Sequence, residues 1–286
     1  MPTADLSLRD EYAAAVERLA GRTLDALRGV EGAVALADPG TGTAPRPVLA
    51  AARVLGPDLL APRLLGAAGP DDEAVLLLAE ALLAFPPAAL PAGAASAPPS
   101  PGLPSGTAAS PRHGPDGHGP DGGPDGLGPD ATAVVTAWRD WAAGALLTRA
   151  LASTADLARL AAPGVNLAAP QPDRVPRLEP HAWQVWSVRM AQLSSLALPD
   201  LDGPVHDAAR ANTLALARGA VRSMLRRDHR VAARLARWLA WAAADGRPVP
   251  LEIAPVLERI QVVGDGSART ALELSIADAL LSGATP

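Results

Sequence analysis

The segment between residues 86 and 130 constrains the fold of this chain more than any other feature. It holds 12 of the 30 prolines and 10 of the 26 glycines, and its second half repeats a Gly-Pro-Asp-Gly pattern. Proline fixes φ and lacks an N–H donor, whereas glycine loosens the backbone, so neither a helix nor a strand can propagate here. Few apolar side chains are present to offset the entropy of ordering the segment. It is therefore predicted to be a disordered linker between two modules, residues 1–85 and 131–286.

Outside this linker the hydrophobic periodicity is helical. Apolar residues recur at spacings of three and four, and no stretch shows the sustained alternation of a strand. Helices are expected over residues 5–29, 47–55, 57–65, 71–85, 132–154, 155–161, 181–198, 204–227, 229–244, 254–263 and 267–281. Asp228 is placed to cap the second arm of a helical hairpin, because an unbroken helix of about 40 residues would be unusual in a compact domain. The predicted class is all-α, an irregular array of helical hairpins in two modules.

Composition and motifs exclude several kinds of site. The chain has no cysteine, which rules out disulfides, thiolate metal sites and cysteine nucleophiles. It also lacks HxxxH, ExxH, GxSxG and Walker-type motifs, so no cofactor, metal site or catalytic residue is predicted. Lysine is absent and all 25 basic residues are arginine, a bias that a GC-rich bacterial genome explains. A protein without enzymatic activity is favoured.

No segment of the sequence resembles a membrane span or a signal peptide. The first twelve residues carry four charged side chains and contain no apolar core. The apolar run over residues 74–85 is interrupted by Glu80 and is too short to span a bilayer. The chain is therefore expected to be cytoplasmic and to have no membrane partner.

Charge is distributed unevenly along the chain. Residues 1–85 hold 12 acids and 7 arginines, a net charge of −5, whereas residues 131–286 hold 14 acids and 17 arginines, a net charge of +3. The acidic front could dock on the basic back, or the basic part could face an acidic partner. The sequence leaves both alternatives open.

All six tryptophans occur in pairs with a spacing of three residues. The pairs are Trp138 and Trp141, Trp183 and Trp186, and Trp238 and Trp241. Such a pair presents two indoles to one side of a helix, and each indole buries roughly 150–250 Å². Packing between helices is the ordinary role of such a pair. The third pair ends its helix beside an arginine-rich face, so Trp238 and Trp241 are the best candidates for an exposed groove that binds a partner.

An arginine ladder with steps of four residues crosses the segment 204–244. Its members are Arg218, Arg222, Arg226, Arg230 and Arg234. They wind across one face, because each step drifts by only about 40°. The residues expected on the other face are Leu214, Val221, Met224, Leu225, Val231, Leu235 and Leu239. The ladder is either an ordinary solvated face or a surface for an acidic partner or nucleic acid, and the alanines between the arginines disfavour the reading of specific bases.

The favoured function is that of a non-enzymatic adaptor in protein–protein interaction. Its aromatic anchors would be Trp238 and Trp241, the arginine ladder would form their rim, and the partner would be a protein with an acidic or apolar helical surface. Two alternatives stay open. One is an enzyme or enzyme accessory subunit with an apolar, tryptophan-lined pocket, and the other is a nucleic-acid-associated regulator.

Overall fold

A computed structural model of the chain describes residues 3–30, 44–66, 72–87, 129–151, 169–170, 174–179 and 182–283. Of these residues, 79% are helical and none lies in a strand, which confirms the predicted all-α class. Most of the predicted linker, residues 88–128, lies outside the described ranges, as does the helix expected over 155–161. No helix within the described ranges is both long and apolar enough to cross a bilayer.

The helices that precede the predicted linker form one group. In chain order they are α1 (Thr3–Leu27), α2 (Arg46–Leu55), a 3-10 turn (Gly56–Leu60), α3 (Ala61–Leu65) and α4 (Asp72–Ala84). α2 packs against both α1 and α4 and buries Leu49 and Leu55. Gly29 follows the end of α1 at φ 69°, as predicted, because the left-handed region suits a residue without Cβ.

The helices that follow the predicted linker are built around α9. In chain order they are α5 (Pro129–Leu151), α6 (Trp183–Gln192), a 3-10 turn (Ser194–Leu196), α7 (Pro204–Ala211), α8 (Thr213–Leu225), α9 (His229–Ala244), α10 (Ile253–Val263) and α11 (Ala268–Gly283). α9 contacts α6, α8, α10 and α11, and ten of its sixteen residues are buried. Half of these buried residues are alanine, which allows neighbouring helices to approach closely. α9 is therefore the core helix of this part of the fold.

Two predicted helices are interrupted in the structure. The helix expected over 204–227 breaks at Asn212, whose φ and ψ of −130° and 36° are not helical and whose side chain donates to the Ala208 carbonyl at 2.8 Å. A short amide side chain of this kind competes with the backbone for helical hydrogen bonds. The hydrophobic periodicity of the sequence does not show where such a side chain interrupts a helix. The helix expected over 181–198 ends at Gln192 and gives way to the 3-10 turn.

α8 and α9 form the predicted hairpin, and its turn is capped as expected. The Asp228 carboxylate accepts a hydrogen bond from the Val231 N–H at 3.1 Å, which satisfies one free donor at the start of α9. The preceding residue, Arg227, has φ 60° and reverses the chain. On the inner side of α8, a Cβ at Gly219 would lie 2.6 Å from the Ser187 Cβ, so the close crossing of α6 requires glycine.

Helices from both sides of the predicted linker share one buried core. α11 packs along α1, and the 3-10 turn at residues 56–60 packs against α5. Arg53 on α2 forms a two-pronged ion pair with Asp140 on α5, with Nη2 2.6 Å from Oδ2. A second ion pair joins Asp58 to Arg237 at 2.8 Å. The part of the chain before the predicted linker therefore docks on the part after it, one of the two alternatives that the charge distribution left open. One of the two ion pairs joins an acid of the first part to an arginine of the second, and the other joins an arginine of the first part to an acid of the second.

Candidate functional site

The tryptophan pairs contribute to the core, although Trp141 and Trp183 are only partly buried. Trp138, Trp186 and Trp238 are among the largest fully buried side chains, and Trp241 keeps only 5% of its surface exposed. The Trp238 indole N–H donates to the Met190 carbonyl at 2.8 Å. The expected exposure of Trp238 and Trp241 is therefore wrong, because α9 is covered by neighbouring helices up to its last turn. Buried in this way, the two indoles cannot serve as surface anchors.

Arg210 covers the outer side of the third tryptophan pair. Its guanidinium lies 4.8 Å over the Trp241 ring, within the range of a cation–π interaction. Three carboxylates hold it in place, those of Asp202 and Asp245 at 2.8 Å and that of Asp207 at 3.1 Å. The hydrogen bond to Asp245 is the largest factor that raises the pKa of Arg210 above its ordinary value. This cluster therefore closes the core beside the indoles.

His206 packs against the same two indoles within the core. Its ring centroid lies 5.6 Å from that of Trp238 and 5.0 Å from that of Trp241. Its Nε2 lies 2.9 Å from the Leu196 carbonyl oxygen, which assigns the proton of the neutral ring to Nε2. Nδ1 has no hydrogen-bond partner among the described residues. Burial lowers the pKa of His206 below its ordinary value, so the ring is neutral at pH 7.

The arginine ladder is divided between the two arms of the hairpin. On α9, Arg230 lies 3.4 Å from Asp265 near the protein surface. Arg234 lies 3.4 Å from Glu273 on α11 and is largely buried. These two arginines are thus partnered within the fold. The other three members, Arg218 and Arg222 on α8 and Arg226 at its end, differ because their side chains are exposed.

The outer face of α8 carries apolar side chains among its arginines. Leu214, Val221 and Leu225 are 51%, 43% and 81% exposed. At 100° per residue, these three side chains share an arc of about 100° with Arg218 and Arg222. They were expected on the opposite face, and that expectation is wrong because α8 turns its small residues towards α6 and α9. We define the outer face of α8 as Leu214, Arg218, Val221, Arg222, Leu225 and Arg226.

This outer face has no acidic residue to compensate its charge. Residues 212–227 include four arginines and no Asp or Glu. Arg222 lies 5.9 Å over the Trp183 ring on α6, which holds its guanidinium beside the face. Within the described part of the chain, Arg218 and Arg226 form neither an ion pair nor a side-chain hydrogen bond. The outer face of α8 is therefore both basic and apolar.

Arg237 forms a buried ionic centre that was not among the predicted sites. Its side chain is 0% exposed, and its Nη1 lies 2.9 Å from Glu273 Oε2. Its Nη2 lies 2.8 Å from Asp58 Oδ1, an ion pair in which the N–H does not point at the oxygen. Its Nε donates to the Ala197 carbonyl at 3.1 Å, and the Ser194 hydroxyl donates to Glu273 at 2.9 Å. The centre thus joins α9, α11 and the two 3-10 turns.

The two carboxyl groups of this centre have pKa values shifted in opposite directions. Burial raises the pKa of Asp58, and the attraction of Arg237 does not cancel that effect. Burial also acts on Glu273, but Arg237, Arg234 and the hydrogen bond from Ser194 together lower its pKa below the ordinary range. Glu273 is therefore the firmly ionised partner of the centre.

The sequence contains a weak signal for the Arg237 centre. Arg237, Asp58 and Glu273 each stand alone among apolar neighbours, in Leu-Ala-Arg-Trp-Leu, Pro-Asp-Leu-Leu and Leu-Glu-Leu. A charge in such a run must be paired if it is buried. The pairing itself could not be predicted, because Asp58 and Arg237 come from opposite sides of the predicted linker.

Described residues line at least two grooves that open at the surface. One of about 420 Å³ lies between α1, α10 and α11, where Arg28, Glu258 and Asp278 line it together with Leu257 and Leu274. A second, of about 280 Å³, lies beside α3 and α5. Neither groove has a tryptophan in its lining. Neither therefore matches the apolar, tryptophan-lined pocket that was expected if the protein were an enzyme or an enzyme accessory subunit. Within the described ranges, no three His, Asp or Glu side chains form a group that could hold a metal ion.

Comparison with known proteins identifies no relative. No family model matches this sequence, and no curated protein or solved structure is significantly similar to it. The outer face of α8 and the Arg237 centre are therefore interpreted from their own chemistry.

Proposed function

We propose that this protein is a non-enzymatic adaptor that binds another protein through the outer face of α8. The observation that supports the proposal is a row of exposed apolar side chains among arginines that have no acidic neighbours on the same helix. Leu225 is the most exposed of the row, at 81%. Contiguous apolar surface rimmed by charge is typical of protein interaction sites, and arginine is enriched in them.

The chemistry of the face favours an acidic amphipathic helix as the partner. Leu214, Val221 and Leu225 are spaced by seven and four residues, so their side chains form a stripe along α8. A partner helix with its own apolar stripe would lie along this row and bury it. Asp or Glu beside that stripe would pair with Arg218, Arg222 and Arg226 and would steer the encounter.

The same observations make nucleic acid a weaker candidate. Exposed leucine and valine between arginines contribute little to phosphate binding, and Ser223 is the only hydroxyl or amide side chain between Leu214 and Arg227. Proteins that bind phosphates usually combine arginine with such polar groups. A protein partner accounts for both the apolar and the basic members of the face.

The proposal is tested with the full chain as bait in extract of its native host, beside two matched double variants. The first, Leu225→Ser with Arg222→Glu, alters the outer face of α8. The second, Val262→Ser with Arg259→Glu, makes the same changes on α10, where Val262 is 80% exposed and Arg259 is also exposed. We expect one protein to be retained by the wild type and by the α10 variant but lost by the α8 variant.

The position of the captured protein is then checked by hydrogen exchange. We expect slower exchange of the α8 amides in the complex, with little change on α10. Equal capture by all three baits would contradict the proposal. So would selective capture of nucleic acid in place of protein, with binding that weakens steeply as salt increases.

A further inference from the structure

The groove of about 420 Å³ between α1, α10 and α11 is suited to a helix. α10 lines it with Ala254, Leu257, Glu258 and Gln261, and α11 lines it with Ala271, Leu274, Ser275, Asp278 and Ala279. Both rows follow the spacing of three and four residues that places side chains on one side of a helix. Each row runs for about 10–12 Å, so a segment of about two helical turns can lie between them.

The groove is apolar inside and negatively charged at its edge. Leu257 and Leu274 are buried in its lining, whereas Glu258 and Asp278 are exposed. Within the described ranges neither of these carboxylates forms an ion pair. Arg28, the arginine of the lining, donates to the Ser275 hydroxyl at 3.4 Å. Two acids against one arginine give the lining a negative charge.

The outer face of α8 has the complementary chemistry. Its residues from Arg218 to Leu225 extend over about 10 Å, the length of the rows that line the groove. Leu225 is 81% exposed, and the arginines beside it have no acid on the same helix. Two copies of α8 cannot pair through this face, because their arginines would repel each other. The face therefore requires a surface that is both apolar and acidic.

The face and the groove lie on different helices of the same molecule. α8 packs against α6, α7 and α9, whereas α1, α10 and α11 form the groove. Each molecule therefore offers one surface of each kind, and a contact between copies joins unlike surfaces. Such a head-to-tail contact leaves a face free at one end and a groove free at the other, so further copies can add.

We propose that a second copy of this chain places the outer face of its α8 in the groove between α1, α10 and α11. The apolar row of α8 is then buried against Leu257 and Leu274, and its arginines pair with Glu258 and Asp278. Self-association rests on the proposed use of this face for docking, and a second copy occupies the face when the other protein is absent. The two compete, so binding of the other protein separates the copies.

The test is sedimentation velocity of the full chain over a series of protein concentrations. We expect the mean mass of the wild type to rise with concentration beyond that of a dimer, because head-to-tail contacts do not close between two copies. Arg218→Glu with Arg222→Glu should weaken the association at least about tenfold, and Glu258→Arg with Asp278→Arg should do the same from the side of the groove. Added salt should weaken the wild-type association.

A matched control carries the same charge change as the groove variant. Asp10→Arg with Glu11→Arg replaces two exposed acids on α1 that lie about 25 Å along the helix from Leu27. This control should associate like the wild type. Circular dichroism during thermal unfolding should show the same melting temperature for the control and for both pairs of substitutions, since all six side chains are exposed.

Exchange of the charges provides the most specific readout. A chain that carries both pairs of substitutions, on α8 and in the groove, has acids on the face and arginines in the groove. Its association should return to within about threefold of the wild type, because the two surfaces are again complementary. A structural defect in either variant would not be repaired in this way, so continued loss of association in the combined variant would contradict the proposal.

The remaining outcomes separate self-association from the adaptor function. A wild type that stays monomeric at every concentration would overturn self-association, and so would a dimer that the groove variant leaves intact. If such a wild type still captures the host protein through α8, only the adaptor function stands. Self-association without any captured protein would overturn the adaptor function and support the second copy as the occupant of the face.

Discussion

Arg237 and Arg222 lie on the two arms of one hairpin, and the fold places them in opposite environments. Arg237 on α9 is fully buried between Glu273 and Asp58, with a third contact to a backbone carbonyl. Arg222 on α8 faces solvent and stacks only on the edge of the core at Trp183. The same type of side chain is therefore buried and ion-paired at one position and exposed at the other.

The difference follows from how many helices cover each arm. α9 is packed against α6, α8, α10 and α11, so any charge that it turns inward needs a partner. α8 packs mainly on α9 and α6, which leaves one side uncovered. A charge on that side keeps its hydration, and its pairing adds little to stability. Four predictions, from the largest effect to the smallest, test this contrast.

The largest effect is expected at the buried arginine. Arg237→Leu should lower the free energy of unfolding by about 3–5 kcal/mol in urea titrations, because it leaves the buried Asp58 without its cation and Glu273 with only the longer contact to Arg234. Adding Asp58→Asn should recover part of this loss, since the remaining carboxylate, Glu273, is still paired with Arg234 at 3.4 Å. The matched variant Arg222→Leu should change the stability by less than about 0.5 kcal/mol. A similar loss of stability in Arg237→Leu and Arg222→Leu would contradict the expected difference between the buried and the exposed arginine.

The next effect concerns the inner side of α8. Gly219→Ala would place a Cβ 2.6 Å from the Ser187 Cβ and 3.0 Å from Leu235 Cδ1. Overpacking of this kind costs about 1–3 kcal/mol, which exceeds the gain of up to about 1 kcal/mol in helix propensity. We expect a net loss in the midpoint of urea unfolding. The neighbouring variant Arg218→Ala, on the outer face, should show none, and an equal loss there would contradict the inner–outer distinction.

A smaller effect is expected from the pH dependence of the core beside α9. Burial lowers the folded-state pKa of His206, so the unfolded chain binds its proton more readily. The charged groups that face this ring are Asp202, Arg210 and Asp207. Stability should therefore be fully present above the unfolded value of about 6.5 and should fall as the pH drops below it.

The control for this pH effect is His206→Gln, whose side-chain amide can still donate to the Leu196 carbonyl. Urea midpoints measured between about pH 8 and about pH 5.5 should fall less in this variant than in the wild type. Parallel pH profiles for wild type and His206→Gln would show that His206 is not the responsible group.

The smallest effect on stability is expected on the outer face of α8. Arg218→Gln with Arg226→Gln should change the free energy of unfolding by less than about 0.5 kcal/mol, because neither side chain has an ion-pair or hydrogen-bond partner among the described residues. Circular dichroism during thermal unfolding would measure it. The same double variant should bind the captured partner more weakly. A large loss of stability would instead show that these arginines are needed for folding.

The two arms of the hairpin also show which features of the structure could be predicted from the sequence and which could not. The helices and their ends were predictable where local chemistry decides them, at Gly29 and at the Asp228 cap. The break at Asn212 was not predicted, because it depends on which backbone group a side chain selects. The arginine ladder was recognised, but its division between exposed and paired members was not, because that depends on the neighbouring helices.

The sequence by itself determined an all-α protein, since helical periodicity and capping depend on residues only a few positions apart. Only the tertiary structure decided that Trp238 and Trp241 are core residues and that Leu225 is exposed. It also decided that Arg237 meets Asp58 across the predicted linker. The physical reason is that burial depends on what packs against a helix, and that contact joins residues far apart in the chain.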